Sequence, residues 1–590
     1  MAPGVRVRVR LAGKLTEGYV LSGAADFRAP VTPIASVVSD VPVLTTDILA
    51  LCREVATHYA GSVSDVVRLA VPPRVAGAET GWRPGSSRPR RQPRPGVGLA
   101  AHPFVVEAAG GVPVRGTWVA PAGGDWADQL AAVARVVTEA GRSVVLVAPD
   151  ARDVARLAAA LRSAVPGHTA VLTADEGPRD RYSAFLDVLS GQAHVVVGTR
   201  AAAFAPVLDP GLLVVWDDGD SSLAEQRAPY PHAREVLALR SHLQTCALLL
   251  AGHTRSAETQ RWLDAGWCLD LTDQAAVRSR RPHVFSTIDR VRSPFDLVRR
   301  LPQSTVAALR TGLDAGPVLV QVSRRGYLPL TACQTCRELA ECPRCGGPLE
   351  VAANGSVQCR RCSAADEFHC PSCGGTRLRA VRSGASRTAE ELGRLFGGIP
   401  VLQSTAEHPV ATVAHTAVVV ATAGVEPIAA GGYTAGAILD AQEDLWRVGV
   451  RSREEAGRRW FNAAALLRPG APLALSADSD DPVVQALIRW DPGVLAADEL
   501  KRRTAAGLPP AQQVAQIDGS PTDLEEVIAA LSGEVDVLGP REITGSTARA
   551  LLRSSDFPSL RDELRTIIMA RSARHRGGAV RVQVDPVALD

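Results

Sequence analysis

Lysine is almost absent from this chain of 590 residues, since it occurs only at Lys14 and Lys501 while arginine supplies nearly all of the positive charge. A P-loop needs a lysine followed by serine or threonine, because the ammonium group holds the β and γ phosphates and the hydroxyl binds Mg²⁺. Lys14 precedes Leu15 and Lys501 precedes Arg502, so the sequence contains no such motif. This absence excludes ATP hydrolysis at an ordinary P-loop site.

Long apolar runs and a secretory signal are also missing. No run approaches the roughly 20 apolar residues that span a bilayer. The opening MAPGVRVRVR alternates arginine with valine, where a signal would carry an apolar stretch of about 7 to 15 residues. We therefore expect a cytoplasmic protein with no membrane partner. In that reducing compartment, clustered cysteines indicate metal binding rather than disulfides.

Eight of the eleven cysteines form four Cys-x2-Cys pairs. Such a turn points both sulfur atoms to one side, and two turns complete the tetrahedral thiolate shell of a closed, structural zinc site. Five residues separate the first pair from the second, whereas thirteen separate the second from the third, enough for a returning hairpin. We therefore expect two zinc ions, one held by the outer four cysteines and one by the inner four. The outer set is Cys333, Cys336, Cys370 and Cys373, and the inner set is Cys342, Cys345, Cys359 and Cys362.

The remaining cysteines and the nearby histidine are not expected to bind metal. Cys52, Cys246 and Cys268 are isolated in apolar surroundings and are typical of small core residues, with a reactive thiol as the alternative. His369 lies beside Cys370, but eight thiolates already complete two sites, so a position outside the ligand sets is favoured.

Apolar runs alternate with helical segments from residue 101 onwards. TWVAPA, SVVLVAP, HVVVGT, LLVVW and CALLLAG predict strands, and segments such as ADQLAAVARVVTEAG predict the helices between them. Continuous valine and leucine runs suit parallel strands covered on both faces. A second series, PVLVQVS, AVVVATA and AGAILDA, surrounds the cysteine cluster. The sequence therefore predicts an α/β protein with two doubly wound lobes and a cysteine-rich insertion in the second.

Changes in composition suggest the domain boundaries. We expect a small mixed domain, a basic linker, a first lobe, a second lobe in two parts, a zinc module between those parts, and an α+β C-terminal domain. The small mixed domain is expected at residues 1–75, the basic linker at 76–100 and the first lobe at 101–280. The second lobe is expected at 281–332 and 374–480, the zinc module at 333–373 and the C-terminal domain at 481–590.

The linker combines proline and glycine with five arginines, Arg83, Arg88, Arg90, Arg91 and Arg94. Proline and glycine break regular structure, and the like charges repel one another. This composition predicts a solvated tether. A non-specific contact with nucleic-acid phosphates is a compatible alternative.

Two turns at strand ends are candidates for a nucleotide site. In the turn after TWVAPA an aspartate would repel a triphosphate. The acids that follow LLVVW resemble a Mg²⁺ site, although solvated carboxylates are equally typical of a strand end. The residues are Gly123, Gly124, Asp125 and Trp126 in the first turn, and Trp216, Asp217 and Asp218 in the second.

Several motifs resemble PriA, the primosomal protein N' family of replication restart helicases. The likeness rests first on RRGY, at 324–327, followed by the four cysteine pairs, including ECPRC at 341–345. VVVGTRAAAFAP, YPHARE, GLPP and the ending VQVDP are also similar to that family. Together these motifs cover roughly residues 100 to 590, with a match from residue 4.

The resemblance implies a superfamily 2 helicase core of two RecA-like lobes, an inserted two-zinc module and a C-terminal domain. It also implies an N-terminal domain that binds a DNA 3' end at a fork, here expected in truncated form. All eight clustered cysteines would bind zinc, in the two sets given above, and Arg324 and Arg325 become candidate DNA contacts. The implied role is reloading the replicative helicase at stalled forks, with DNA and other primosome proteins as partners.

The sequence departs from this family where ATP chemistry is expected. Asp125 replaces the P-loop lysine, Trp216 replaces the Mg²⁺-binding aspartate, Asp217 replaces the catalytic glutamate, and the arginine-finger motif is reduced around Arg468. Loss of one charge clamp from a phosphoryl-transfer site lowers the rate by about 10³ to 10⁵. We therefore expect a fork-binding scaffold without helicase or ATPase activity.

Two alternatives stay open. One is an active ATP-dependent 3'–5' helicase with a non-standard site built on Asp217, Asp218 and arginines, which the missing lysine disfavours. The other is a zinc-stabilised protein-interaction scaffold without DNA contact, which salt-sensitive binding to forked DNA would contradict.

Overall fold

The computed structural model describes the chain from Met1 to Leu589 with short gaps. The gaps are residues 12, 22–32, 86–87, 93, 95, 124–125, 289–300, 324–329, 337, 339, 352–355, 360–361, 363, 365–366, 382–384, 448 and 575–576. Within the described residues, no helix combines the length and the apolar character needed to cross a bilayer.

The N-terminal domain is a small antiparallel sheet followed by two helices. Its strands are β1 (Val5–Leu11), β2 (Lys14–Tyr19) and β3 (Ile34–Pro42), and its helices are Thr46–His58 and Val63–Ala70. The sheet order is β2-β1-β3. The first helix begins at Thr46 because the side chain of Thr45 accepts a hydrogen bond from the backbone N–H of Ile48.

Lobe 1 contains a seven-stranded parallel sheet in the order β10-β4-β9-β8-β5-β7-β6. Its strands are β4 (Arg115–Val119), β5 (Ser143–Val147), β6 (Thr169–Leu172), β7 (Val195–Gly198), β8 (Pro210–Trp216), β9 (Ala247–Gly252) and β10 (Leu269–Asp270). Its helices are Pro103–Gly110, Trp126–Glu139, Ala151–Ala164, Pro178–Leu189, Ala233–Leu243, Ala257–Asp264 and Gln274–Ser279. Strands β5, β7 and β9 are buried along their whole length, as strands covered by helices on both faces must be.

Lobe 2 begins with two strands and is then interrupted by the cysteine module. The two strands are β11 (His283–Ser286) and β12 (Val318–Val322), with the helix Gln303–Leu313 between them. The module contains β13 (Leu330–Cys333), β14 (Leu349–Val351), β15 (Val357–Cys359) and β16 (Leu378–Val381), which form two antiparallel pairs, β13 with β16 and β14 with β15.

The rest of lobe 2 completes a six-stranded parallel sheet in the order β11-β22-β21-β12-β19-β17. The strands are β17 (Val401–Ser404), β18 (Thr412–Val413), β19 (Val418–Thr422), β20 (Ile428–Ala429), β21 (Ala435–Ile438) and β22 (Pro472–Leu475), of which β18 and β20 form a separate pair. The helices are Ala385–Leu395, Ala441–Leu445, Ser452–Ala464, Pro482–Arg489 and Pro492–Ala505.

The C-terminal domain is a four-stranded antiparallel sheet in the order β24-β25-β23-β26, with two helices. Its strands are β23 (Ala515–Gly519), β24 (Asp536–Thr544), β25 (Thr547–Arg553) and β26 (Arg581–Val584), and its helices are Pro521–Ala529 and Phe557–Arg574. Buried residues of this sheet, of the N-terminal helices and of lobe 1 belong to one continuous hydrophobic cluster. The α/β class with two parallel-sheet lobes is therefore confirmed.

The basic linker at 76–100 is docked on lobe 1, which corrects the expectation of a solvated tether. The Arg91 backbone N–H donates to the Ala140 carbonyl at 3.1 Å. The Arg88 guanidinium donates to the Thr138 carbonyl at 3.3 Å. Composition alone cannot predict such contacts, because they depend on where the lobe places its own free carbonyl groups.

Candidate functional site

The eight clustered cysteines converge in two groups of four. Within each group the ligand atoms all lie within 4.8 Å of one another. In the outer set, the Sγ atoms are 3.5 Å apart for Cys333 and Cys373 and 3.4 Å apart for Cys336 and Cys370. The groups are the outer set, Cys333, Cys336, Cys370 and Cys373, and the inner set, Cys342, Cys345, Cys359 and Cys362.

The sulfur separations fit a tetrahedral metal and not a disulfide. In the inner set, Cys342 and Cys362 are 3.8 Å apart and Cys345 and Cys359 are 3.5 Å apart. Zn–S bonds of about 2.3 Å give tetrahedral S···S edges of about 3.8 Å, whereas a disulfide bond is about 2.05 Å long. Each group can therefore hold one metal ion with thiolate ligands alone.

The local sequence explains why each knuckle forms. The backbone N–H of Gly346 donates to the Cys342 carbonyl at 2.9 Å, and the N–H of Gly374 donates to the Cys370 carbonyl at the same distance. Both glycines have positive φ, +67° and +70°, a conformation that glycine adopts without a steric penalty. The repeated CPxCGG sequence therefore builds the same turn twice.

The backbone also favours thiolate at the first cysteine of each amino-terminal knuckle. A hydrogen bond from the Cys336 backbone N–H lowers the pKa of Cys333 to about 6. The Arg344 backbone N–H lowers the pKa of Cys342 to about 7 in the same way. The pKa of the second cysteine of each of these knuckles, Cys336 and Cys345, is raised instead, to about 12, because a backbone hydrogen bond that lowers it is outweighed by desolvation and by hydrogen bonds with the other thiols of its set. Thiolate at all four positions of a set, the form that binds metal, therefore requires a bound cation.

The cysteines expected in the core lie there. Cys52, Cys246 and Cys268 are buried. Burial raises the pKa of Cys52 to about 12 and those of Cys246 and Cys268 to about 11. Their thiols therefore stay protonated at neutral pH and behave as small apolar groups. His369 is exposed and lies outside both cysteine groups.

Two tryptophans are stacked in lobe 1, at the two turns that align with a nucleotide site. The rings of Trp126 and Trp216 lie 3.7 Å apart between centroids with an interplanar angle of 7°. Each residue is only 3% exposed. The edge of His253 meets Trp216 at 5.3 Å, and the Arg156 guanidinium lies 5.0 Å from the Trp126 ring. Both rings are thus part of the hydrophobic core of lobe 1, and Gly124 and Asp125 lie outside the described residues.

Lobe 2 closes directly on this position. The Gly123 backbone N–H donates to the Ala465 carbonyl of lobe 2 at 2.8 Å. A Cβ atom on Gly123, whose φ is +61°, would lie 3.1 Å from the Leu467 carbonyl oxygen. Val119 and Ala122 of lobe 1 belong to the same hydrophobic cluster as Leu467. The lobes therefore meet through packed apolar surface at the end of β4.

Asp217 bridges the two lobes. Its Oδ2 atom accepts hydrogen bonds from Arg458 Nη1 at 2.5 Å and from Asn462 Nδ2 at 2.8 Å, both on the lobe 2 helix Ser452–Ala464. Arg458 also lies 2.8 Å from Asp220. Burial raises the pKa of Asp217 to about 6, and the adjacent Arg458 opposes that rise. The side chain is committed to an ion pair across the cleft.

Asp218 is held within lobe 1. Its Oδ2 atom accepts hydrogen bonds from Thr259 Oγ1 at 2.6 Å and from the Ser256 hydroxyl. The Arg234 guanidinium lies 3.7 Å away. Burial raises the pKa of Asp218, and Arg234 opposes that shift. Neither Asp217 nor Asp218 is a solvated carboxylate at a strand end.

A second polar contact between the lobes lies beside the first. Glu454 of lobe 2 accepts a hydrogen bond from the backbone N–H of Ala257 at 2.7 Å, which satisfies a free donor at the start of the helix Ala257–Asp264. Glu258 pairs with Arg451 of lobe 2. The sequence analysis did not predict these partners. The segment SREEAGRR does carry a signal, because its acids and arginines have the spacing of paired charges on a helix.

The other candidate residues make contacts elsewhere, are exposed or lie outside the described residues. Arg468 donates to the carbonyls of Gly431 and Gly432 at 2.9 and 3.2 Å. Lys14 on β2 and Lys501 on the helix Pro492–Ala505 are both exposed. Arg324 and Arg325 lie outside the described residues.

Two parallel α/β lobes that pack against each other, with a cysteine module inserted in the second, form a helicase-like fold. Residues 1–72 match the family described as "3'DNA-binding domain (3'BD)" of PriA. Residues 504–587 match "Primosomal protein N C-terminal domain". Together with relatives that are 41% identical over the whole chain, these matches show that the chain belongs to the replication restart protein PriA family.

Individual relatives agree with that assignment. "Probable replication restart protein PriA" of Mycobacterium tuberculosis is 41% identical over 630 residues, which cover 100% of this chain and 96% of the relative. The Mycobacterium leprae protein of the same name has the same identity and coverage. Among solved structures, RecG bound to a three-way DNA junction aligns with a TM-score of 0.36 and 11% identity, over 79% of this chain and 52% of that one.

Proposed function

We propose that the chain binds stalled or abandoned replication forks and promotes primosome assembly and reloading of the replicative helicase, without hydrolysing ATP or separating strands. The family match of residues 1–72 to a 3'DNA-binding domain supports the DNA part. Relatives that share 41% identity over the whole chain carry replication restart in their names, which supports the cellular role.

The stacked pair Trp126–Trp216 is the main observation that supports the absence of ATP hydrolysis. A phosphoryl-transfer site needs cationic groups around the phosphates and a carboxylate free to hold Mg²⁺. Here a buried indole pair of the lobe 1 core stands where two of these groups are expected, and Asp217 already pairs with Arg458. With the P-loop lysine also missing, this arrangement provides neither the lysine clamp nor a free Mg²⁺-binding carboxylate for a nucleoside triphosphate.

The two cysteine groups support two structural zinc ions per chain. Four thiolates complete the tetrahedral shell and leave no open coordination position for a substrate. The outer set would hold one ion and the inner set the other. When bound, zinc would contribute folding free energy to the module, because the ligand set forms only in the folded chain.

ATP hydrolysis and fork binding by the same zinc-loaded preparation test this proposal. We expect salt-sensitive binding of forked DNA, and no ATP turnover above that of an Asp217→Ala variant purified in parallel, which reports contaminating ATPase. Turnover that the variant abolishes would overturn the non-catalytic assignment and favour an active helicase. A folded protein that fails to bind forks even at low salt would overturn the DNA assignment and favour a protein-interaction scaffold.

A further inference from the structure

The docked linker begins at a fixed anchor. Glu79 accepts hydrogen bonds from the hydroxyl of Tyr182 at 2.6 Å, from Arg74 Nε at 2.9 Å and from the Ser39 hydroxyl at 2.9 Å. Ser39 lies on β3 of the N-terminal domain and Tyr182 on a lobe 1 helix. The start of the linker is therefore tied to both domains through one carboxylate.

From this anchor the linker crosses one edge of the lobe 1 sheet. Its contacts at Thr138 and Ala140 precede β5. Arg90 pairs with Asp209, just before β8, at 3.2 Å. A Cβ atom on Gly85 would overlap the Ser190 carbonyl oxygen, which precedes β7. The amino ends of parallel strands share one edge, so the linker follows the edge opposite the nucleotide-like cleft.

We call Arg83, Arg88, Arg90, Arg91 and Arg94 the arginine strip. No acidic residue occurs between Glu79 and Glu107, so the strip has no compensating charge of its own. Arg83, Arg91 and Arg94 are exposed. Within the described part of the chain, no carboxylate forms an ion pair with any of these three.

Docking changes what this charge run can do. A free tether with several like charges relaxes by moving them apart. Here the contacts at Arg88, Arg90 and Arg91 hold the backbone on the lobe, so the charges stay clustered. A fixed positive cluster favours an anionic partner with repeated charges, which attracts it electrostatically and releases bound counterions.

The strip fits a duplex backbone better than a single strand. Surfaces for single strands interleave arginines with aromatic rings on which bases stack. The aromatic residue of this segment, Trp82, packs against the hydrophobic cluster of lobe 1 and the N-terminal domain. At about 3.1 Å per residue for extended, proline-rich chain, the strip reaches at most about 34 Å, roughly one helical turn of B-form DNA.

We propose that the arginine strip binds the phosphate backbone of a duplex arm of the fork, without reading its sequence. This rests on the proposed function, because it assigns one arm of the forked DNA to the amino-end edge of lobe 1. In this proposal the N-terminal domain and the arginine strip contact different parts of the forked DNA. Glu79 sets their relative position.

The salt dependence of duplex and fork binding by the full-length, zinc-loaded protein tests the strip. Each phosphate contact contributes about 0.9 to the slope of log K against log salt concentration. We expect Arg83→Gln/Arg91→Gln/Arg94→Gln to lower that slope by about 2 to 3. The matched control, Arg280→Gln/Arg281→Gln/Arg489→Gln, removes the same charge from exposed positions away from the strip and should leave the slope unchanged.

The outcomes separate this inference from the proposed function. A strip variant with the wild-type slope, while forks still bind, would overturn the strip and leave fork binding in place. If the slope falls equally in the strip and control variants, the effect comes from net charge alone, and the proposed role of the strip is also overturned. Absence of fork binding by the wild-type protein would instead contradict the proposed function. Matching melting temperatures of the two variants establish that neither effect comes from unfolding.

Discussion

At the scale of single residues, the ion pair between Asp217 and Arg458 is the contact whose loss has the clearest consequence. We expect Arg458→Gln to destabilise the protein by about 3 to 5 kcal/mol, because it leaves a buried carboxylate without its cation. The pKa of Asp217, already raised to about 6 by burial, should rise further. A carboxyl group whose pKa is higher in the folded state than in the unfolded state stabilises the protein at low pH. The protein loses this contribution as the pH rises through the folded-state pKa. The deficit should therefore grow between pH 6 and pH 8.

Thermal unfolding at these two pH values measures the effect. The double variant Asp217→Asn/Arg458→Gln removes both charges and should recover part of the loss. Arg394→Gln, which removes one member of an exposed pair with Glu390, serves as the control and should change little. A deficit of equal size at both pH values would contradict the assigned role of Asp217.

The same ion pair marks the limit of what the sequence can predict at this scale. Asp217 was a candidate because acids after a buried strand are a local signal. Its partners Arg458 and Asn462 lie 241 and 245 residues away in the chain, and only the closure of lobe 2 brings them there. The cysteine groups were predictable because each knuckle is made within a few residues and the hairpin length decides which knuckles meet.

At the scale of elements, the cysteine module tolerates little change in its turns. A Cβ atom on Gly375 would lie 2.9 Å from the Cys333 Sγ atom, closer than van der Waals contact allows. We expect Gly375→Ala to displace that sulfur and to lower the zinc content from about two ions per chain to about one. The inner cysteine set, with its own knuckles, should keep its ion.

Zinc release quantified with a chromogenic chelator checks this prediction. Gly397→Ala is a suitable control, since a Cβ atom there meets nothing within 4 Å, and it should retain both ions. Retention of both ions by Gly375→Ala, with unchanged resistance to chelation, would mean that the outer set is not a tight metal site.

Element prediction succeeded where burial alone determines the strand. β5, β8, β9, β12 and β19 follow the valine and leucine runs because both faces of each strand are covered. The edge strand β10, Leu269–Asp270, was not predicted, since a two-residue edge strand has exposed side chains and no apolar run. The linker was misjudged for a related reason: between Trp82 and the buried Leu99, the contacts described above are made by backbone and guanidinium groups, which leave no hydrophobic pattern.

At the scale of the whole molecule, the lobes are joined as one body. The Asp217–Arg458 pair, the Gly123–Ala465 hydrogen bond and the contact of Glu454 with Ala257 all cross the cleft. An apolar cluster continues between them. A helicase core that uses ATP must instead open and close its cleft during turnover. These contacts therefore favour one conformation.

Small-angle X-ray scattering tests this rigidity. We expect the scattering curve to stay the same when millimolar ATP and Mg²⁺ are added, because the P-loop lysine is missing and Asp217 is already paired across the lobes. The double variant Glu454→Gln/Arg458→Gln, which weakens both polar bridges, should show a larger radius of gyration. A compaction of the wild-type protein by ATP would contradict the closed cleft.

The tryptophan stack gives the molecule an internal optical probe. Two parallel indole rings 3.7 Å apart, shielded from water, absorb and emit as a coupled pair whose spectrum depends on their separation and hydration. Loosening of the lobe 1 core, to which both rings belong, would expose them to water and shift their emission to longer wavelength. The residues that stand in place of nucleotide chemistry thus report on the packing of lobe 1 without an added label.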